Sequence, residues 1–288
     1  MLGPIGLAAG ASLASLVLWL SRRRFSPGVE LRRAVRNREF VLLYQPLVEL
    51  ATGACVGAEA LVRWRRADGR IVPPLDFIPL AESNGLIRPI TEQVIERALT
   101  ELGPMLRRRR DLHVSINLAP MDLQDPWIAQ CLDQLLADSG VEPHQVTVET
   151  TERGMVDADA AREVIKGLRS RGHGVAIDDF GTGYSSLSYL QSLEVDTLKI
   201  DKTFIDALGL ETATSSVVPH IVEMARTLRL RVVAEGVETD AQVKFLREQA
   251  VDYAQGWLFS KPLTCDAFGE FVRKSPIAAA TANFELAL

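Results

Sequence analysis

From residue 112 to residue 274 the chain alternates short apolar, β-branched runs with longer stretches that repeat apolar residues at helical spacing. Strands read at 112–117, 146–149, 175–178, 197–201, 231–235 and 253–256. Helices read at about 127–137, 158–171, 216–228, 240–248 and 265–274, with one more opening at Ser186 behind a cap from Ser185 or Ser186. Upstream lie strands at 40–48 and 54–64, a short helical piece from Pro73-Pro74 to Leu80, and a helix at 90–106 with an expected break at Gly103-Pro104. Pro46 suits an edge or a bulge better than a central strand. Strand–helix units of this length imply parallel pairing with right-handed crossovers. About eight strands over roughly 250 residues favour a closed (β/α)₈ barrel over an open sheet.

Composition narrows the chemistry. At 288 residues and 47% hydrophobic the chain can fill one large core. A net charge of -5 gives no global case for binding a DNA or RNA polymer, and none is expected. The run Arg107–Arg110 follows a helical pattern, where cations complement the helix dipole. Cys55, Cys131 and Cys265 show no C-x-x-C spacing, and the four histidines show no H-x-x-x-H spacing. A disulfide framework or a zinc site is therefore not expected, and any metal leans on oxygen ligands, as Mg²⁺ and Mn²⁺ do.

Residues 1–21 carry no charge and are long enough for one membrane-spanning helix of about 30 Å. Basic residues follow it: Arg22, Arg23, Arg24, then Arg32, Arg33, Arg36 and Arg38. Four segments are expected: a transmembrane anchor at 1–21, a basic juxtamembrane helix or linker at 22–39 near anionic headgroups, a globular domain at 40–274, and a flexible tail at 275–288. The positive-inside rule places the domain in the cytoplasm, on a single-pass protein of the cell membrane.

The centre of the chain is Asp178-Asp179-Phe180-Gly181-Thr182-Gly183-Tyr184-Ser185-Ser186, where a buried strand ends in two adjacent carboxylates and a glycine-hinged loop begins. Alone, Asp-Asp-x-Gly reads as a capped turn. The last polar residue of each strand, however, gives Glu59, Asn117, Glu149, Asp178 with Asp179, Lys199, Glu235 and Gln255. In a parallel barrel these ends converge on one rim, the usual place for an active site. Five carboxylates there repel unless cations offset them, and a pair of hard cations ~3.5–4 Å apart clamps the oxygens of a phosphoryl displacement. Lys199 adds positive charge beside the water or the developing phosphorane. The residues alone point to a metal-dependent phosphoester hydrolase and leave the substrate open.

The strings AEALVRW around Glu59, Asn117-Leu118, Glu149-Thr150-Thr151-Glu152, DDFGTGYSSLSYL, Leu198-Lys199-Ile200-Asp201, Ala234-Glu235-Gly236-Val237-Glu238-Thr239 and Gln255-Gly256-Trp257-Leu258-Phe259-Ser260-Lys261-Pro262 resemble the EAL-domain family. That resemblance, over about 40–272, implies hydrolysis of the bacterial messenger cyclic di-GMP to linear pGpG. It also implies a TIM-like barrel whose first strand is antiparallel, and two Mg²⁺ or Mn²⁺ ions. Position by position, Glu59, Asn117, Glu149 and Asp178 resemble the ligands of one ion, and Asp178, Asp179 and Glu235 those of the other. Lys199 resembles the residue that orients the water, with Gln255 beside it and the substrate, so that Glu59, Lys199, Glu235 and Gln255 form the expected catalytic group. Glu152 matches a glutamate that braces the loop 180–186, while Gln45, Arg63 and Glu238 match substrate-side positions. Ala119, Arg153 and Trp257 depart from the pattern, and none removes a ligand. The anchor and Arg-rich segment resemble the C-terminal part of CSS-motif membrane phosphodiesterases, here without the sensor or a GGDEF cyclase domain. Dimerisation through the domain is common in such proteins, and nothing in the sequence fixes an interface. A non-catalytic cyclic di-GMP receptor signalling through a partner is the alternative reading.

Overall fold

The computed structural model describes residues 27–151, 158–181, 190, 193–209 and 217–276. The anchor at 1–21, Glu152, most of the hinged loop, the helix opening at Ser186 and nearly all of the tail lie outside them. Among the described residues no helix is long and apolar enough to cross a membrane.

Eight strands close a barrel: β1 (Phe40–Glu49), β2 (Cys55–Arg65), β4 (His113–Asn117), β5 (Val146–Thr151), β6 (Gly174–Phe180), β7 (Thr197–Ile200), β8 (Arg231–Ala234) and β9 (Tyr253–Ala254). A two-residue strand, β3 (Ile71–Val72), extends β2 at its far end. From β2 through β4 to β9 the barrel pairs are parallel, whereas β1 is antiparallel to both β2 and β9 and completes the ring. The expected first-strand reversal is thus present.

Pro46 sits in this closing strand at no cost in hydrogen bonds. Tyr44 exchanges both backbone bonds with Leu263 (2.7 and 2.8 Å), so alternate residues of β1 face away from β2. Pairing with β9 begins only at Val48, beyond a register shift between Leu47 and Val48. Pro46 falls in the gap between those partners, where no donor is needed.

The helices among the described residues are α1 (Pro27–Asn37), α2 (Pro74–Ser83), α3 (Ile87–Leu106), α4 (Trp127–Ala137), α5 (Ala158–Ser170), α6 (Lys202–Asp206), α7 (Val217–Thr227), α8 (Asp240–Glu248) and α9 (Cys265–Lys274). Their apolar stripes pack on the barrel wall; in α3 the buried Ile90, Val94, Ile95, Ala98, Leu99 and Leu102 recur every three or four residues. The expected break at Gly103-Pro104 does not occur: Pro104 forfeits the single bond to the Thr100 carbonyl, and the helix carries on past it, with Arg107 N donating to the Gly103 carbonyl at 3.0 Å.

Within the segment expected as a basic juxtamembrane helix or linker lies α1, and it is docked on the domain. Leu31 and Ala34 are fully buried, Gln93 Nε2 donates to the Val35 carbonyl at 2.8 Å, and Arg66 pairs with Glu30. Phe40 and Trp64 clasp Phe77 of α2, with ring centroids 5.5 and 6.2 Å away. That cluster fixes α2 beside the rim where the parallel strands end.

Candidate active site

Each strand delivers its polar residue to that rim by simple alternation, since every second side chain of a barrel strand points inward. Lys199 is 2% exposed and stands at the centre. Its Nζ lies 2.5 Å from Glu149 Oε2, 2.7 Å from Glu235 Oε1, 3.1 Å from Asp178 Oδ1 and 3.4 Å from Glu59 Oε2. Asn117 Nδ2 donates to Glu59 Oε1 at 2.6 Å, and Gln255 Nε2 donates to Glu59 Oε2 at 2.8 Å and Glu235 Oε1 at 3.0 Å. Glu59, Asn117, Glu149, Asp178, Lys199, Glu235 and Gln255 therefore converge as the sequence predicts.

Asp179 completes the group in an unusual conformation. Its φ is 54°, left-handed backbone that Asp tolerates better than most side chains, and its N–H donates to Asp178 Oδ1 at 2.9 Å. The turn brings the second carboxylate to the rim beside Asp178 and Glu235.

The electrostatics follow from crowding. Burial raises the carboxyl of Glu149 to about 8 and that of Glu235 well above the usual range, helped by neighbouring carboxylates and opposed by Lys199. Burial and the Asp178 charge also raise Asp179. Glu59 goes the other way: burial would lift it, but the Lys199 charge and the donors on Gln255 and Asn117 hold it below the ordinary value. Burial would lower Lys199, and its ring of acids keeps it well above normal instead.

Those shifts pose the test of a metal centre. Two sets of carboxylates, Glu59–Glu149–Asp178 and Asp178–Asp179–Glu235, each bring ligand oxygens within 4.8 Å of one another, and Asp178 belongs to both. Without cations the raised Glu149, Asp179 and Glu235 relieve the crowding by holding protons; fully ionised, the five carboxylates against one ammonium leave four negative charges, which is the charge of two divalent cations. The donors are all oxygen, suited to hard ions. The residues fit the group.

The substrate-side positions divide. Gln45 lies directly across β1–β2 from Glu59, so both side chains rise from one face. Arg63 is four residues farther along that face; burial lowers its basicity, and its Nη1 donates to the Val62 carbonyl at 2.8 Å. Glu238 does not join the acid cluster: it is half exposed and pairs with Lys202 Nζ at 2.8 Å, which also holds Asp206 at 2.8 Å.

Three features escaped the sequence reading. An apolar groove of ≈ 480 Å³ runs from Asn117, Asp178 and Asp179 along Leu61 to Leu75 and Ile78 of α2. Buried Asp122 ties the Asn117 loop to α3, accepting from Ala119 N at 3.0 Å and Thr91 Oγ1 at 2.9 Å. Beneath the acids, a cavity of ≈ 30 Å³ is lined by His113, Ser115, Thr147, Thr197, Arg231 and Tyr253, below Glu59, Glu149, Lys199 and Gln255. Counting back by two from each rim residue finds this layer: 117 leads to Ser115 and His113, 149 to Thr147, 199 to Thr197, and 255 to Tyr253.

Comparison with known proteins agrees with the geometry. The sequence profile described as the EAL domain matches residues 29–262. The chain is 46% identical over 265 residues to a protein of Escherichia coli (strain K12) named probable cyclic di-GMP phosphodiesterase PdeB, covering 92% of this chain and 51% of that protein. It is 36% identical over 273 residues to probable cyclic di-GMP phosphodiesterase PdeN of the same organism, covering 94% and 52%. The chain thus spans about half the length of these curated relatives. Among solved structures it is similar to the PaMucR phosphodiesterase in complex with c-di-GMP, with a TM-score of 0.78, 37% identity, and coverage of 83% of this chain and 98% of that one. With a profile match over most of its length and relatives this similar, the chain, whose acids gather on one barrel rim, belongs to the EAL domain family.

Proposed function

We propose that the chain hydrolyses one phosphodiester of cyclic di-GMP to give linear pGpG, with Mg²⁺ or Mn²⁺ at two adjoining positions. The observation that carries this is the pair of carboxylate triads sharing Asp178 around a buried lysine. Glu59, Asn117, Glu149 and Asp178 would hold one ion, and Asp178, Asp179 and Glu235 the other. When bound, such ions supply the positive field that neutralises a phosphate and makes water acidic enough to attack near neutral pH.

The chain's own residues do the rest. Lys199 keeps its proton and directs an N–H toward the attacking water and the phosphate it meets. Gln255 anchors Glu59 and Glu235 in a fixed orientation. Arg63 offers a cation to a phosphate oxygen, Gln45 a donor beside it, and the apolar groove receives a flat base. Water forms the new P–O bond, the bond to a ribose 3′ oxygen breaks, and that oxygen leaves with a proton. PdeB and PdeN carry the name of this activity, and the solved PaMucR phosphodiesterase complex holds c-di-GMP.

Incubating the full chain with cyclic di-GMP and Mn²⁺, then separating the nucleotides, tests the reading. pGpG must accumulate and must disappear in Glu59→Ala. Tight binding without turnover would favour the receptor instead. Residues 1–21 form the membrane anchor on this reading, holding the barrel at the cytoplasmic face of the cell membrane; release of the full chain from membranes by alkaline carbonate would refute that part.

A further inference from the structure

Two basic clusters stand at opposite ends of the barrel. Arg107–Arg110 precede β4, at the end away from the acids, and are largely committed to local partners. Arg107 donates to the Ser139 carbonyl at 2.7 Å, and Arg109 grips Asp111 at 2.8 and 2.5 Å. Arg110 reaches the Gly140 carbonyl and Gln145 Oε1, each at 3.2 Å.

The cluster on α1 differs. Arg32, Arg33 and Arg36 are exposed and make no ion pair or side-chain hydrogen bond among the described residues. With Val29, which is 47% exposed, they occupy positions i, i+3, i+4 and i+7, one side of the helix. The opposite side, Leu31 and Ala34, is buried. An unpaired positive stripe on a chain of net charge -5 calls for an anionic partner.

The position of α1 gives that stripe a consequence. Glu30 pairs with Arg66, just past the catalytic-rim end of β2, and Gly28 backs onto Asn84 at the end of α2, where an added Cβ would meet Asn84 Oδ1 at 2.7 Å. α1 therefore lies on the catalytic-rim side. Ile71 of β3 and Leu75 of α2, 46% and 88% exposed, are on the same side. Residues 22–26 alone separate α1 from the proposed anchor, and five residues reach at most ~18 Å. Within that reach a bilayer is the anionic surface α1 meets first.

We infer that the outward face of α1 seats on anionic lipid headgroups and turns the catalytic rim toward the bilayer. This rests on the proposed anchor at 1–21. Amide hydrogen exchange of the full chain in phosphatidylcholine nanodiscs, with and without phosphatidylglycerol, tests both separately. The expected result is exchange at 27–37 slowed about tenfold by phosphatidylglycerol, slower exchange at 66–76, and no change at 107–112 or 138–145 on the opposite end. R32Q/R33Q/R36Q should abolish the difference and leave turnover in detergent unchanged. A chain that does not stay with the discs refutes the anchor and the seat together. A chain that stays, with equal exchange in both lipids, refutes the seat alone. Slowing at 107–112 instead means the opposite end faces the membrane. Protection of 27–37 by an added DNA duplex and not by phosphatidylglycerol would assign the face to nucleic acid and overturn the inference.

Discussion

Two layers of the barrel interior lie one residue pair apart and solve opposite problems. The rim layer, Glu59, Glu149, Asp178, Asp179, Glu235 and Lys199, carries more negative charge than its own cation can offset. The layer beneath, His113, Ser115, Thr147, Thr197, Arg231 and Tyr253, holds no carboxylate and a single cation, Arg231, whose Nη1 donates to the Tyr253 hydroxyl at 2.7 Å; burial and that cation lower His113 from 6.5 to about 4. The lower layer belongs to the fold and is complete without a ligand. The upper layer is frustrated without one, and that frustration marks the site. If the contrast is real, substitutions in the upper layer damage chemistry and spare the fold, whereas the lower layer responds through stability.

The largest effect belongs to Asp178, common to both triads. Asp178→Ala should lower turnover by well over the ~100-fold typical of a partner outside the ligand shell. The metal-free fold should keep its thermal midpoint, read by calorimetry beside the pGpG assay. A lost fold would mean Asp178 is structural and the two layers are not distinct. Asp179→Asn comes next: turnover falls strongly while the metal-free midpoint stays level or rises, because a carboxylate crowded by Asp178 is neutralised. A fallen midpoint would show that the residue has been assigned to the wrong layer.

Chelation should act on the upper layer alone. A site filled at 100 times its dissociation constant adds about 2.7 kcal/mol, so EDTA should lower the midpoint by about 5–10 °C. No shift would mean the acids hold no metal.

The smallest effect sharpens the lower layer. A histidine whose folded value sits below its unfolded one contributes fully above pH 6.5 and loses that contribution as pH falls toward 4. Unfolding free energies from urea titration should therefore fall more steeply over that window in the wild type than in His113→Gln, by about 3 kcal/mol at most. Parallel curves would remove His113 from the account.

The contrast also explains what could be read in advance. The rim was legible because each ligand ends an apolar run, and a closed barrel has one place for such ends. The antiparallel first strand came from the resemblance alone; no periodicity reveals direction. Glu238 pairs with Lys202 on α6, a neighbour that sequence spacing cannot show. α1 was legible as a basic amphipathic helix because its arginines dominate the string; where it docks is decided by two buried positions, Leu31 and Ala34, whose partners lie far away in sequence. The groove along α2 needs the aromatic clasp of Phe40, Trp64 and Phe77, residues far apart in sequence, and no local pattern announces it.

The central claim is that the rim is built for two divalent cations. Counting bound Mn²⁺ per chain by equilibrium dialysis and spin resonance measures it directly. The account predicts two ions in the wild type, close enough to broaden each other's signal, and a loss of at least one in Asp178→Ala. One ion or none in the wild type, or two that persist in Asp178→Ala, would contradict it.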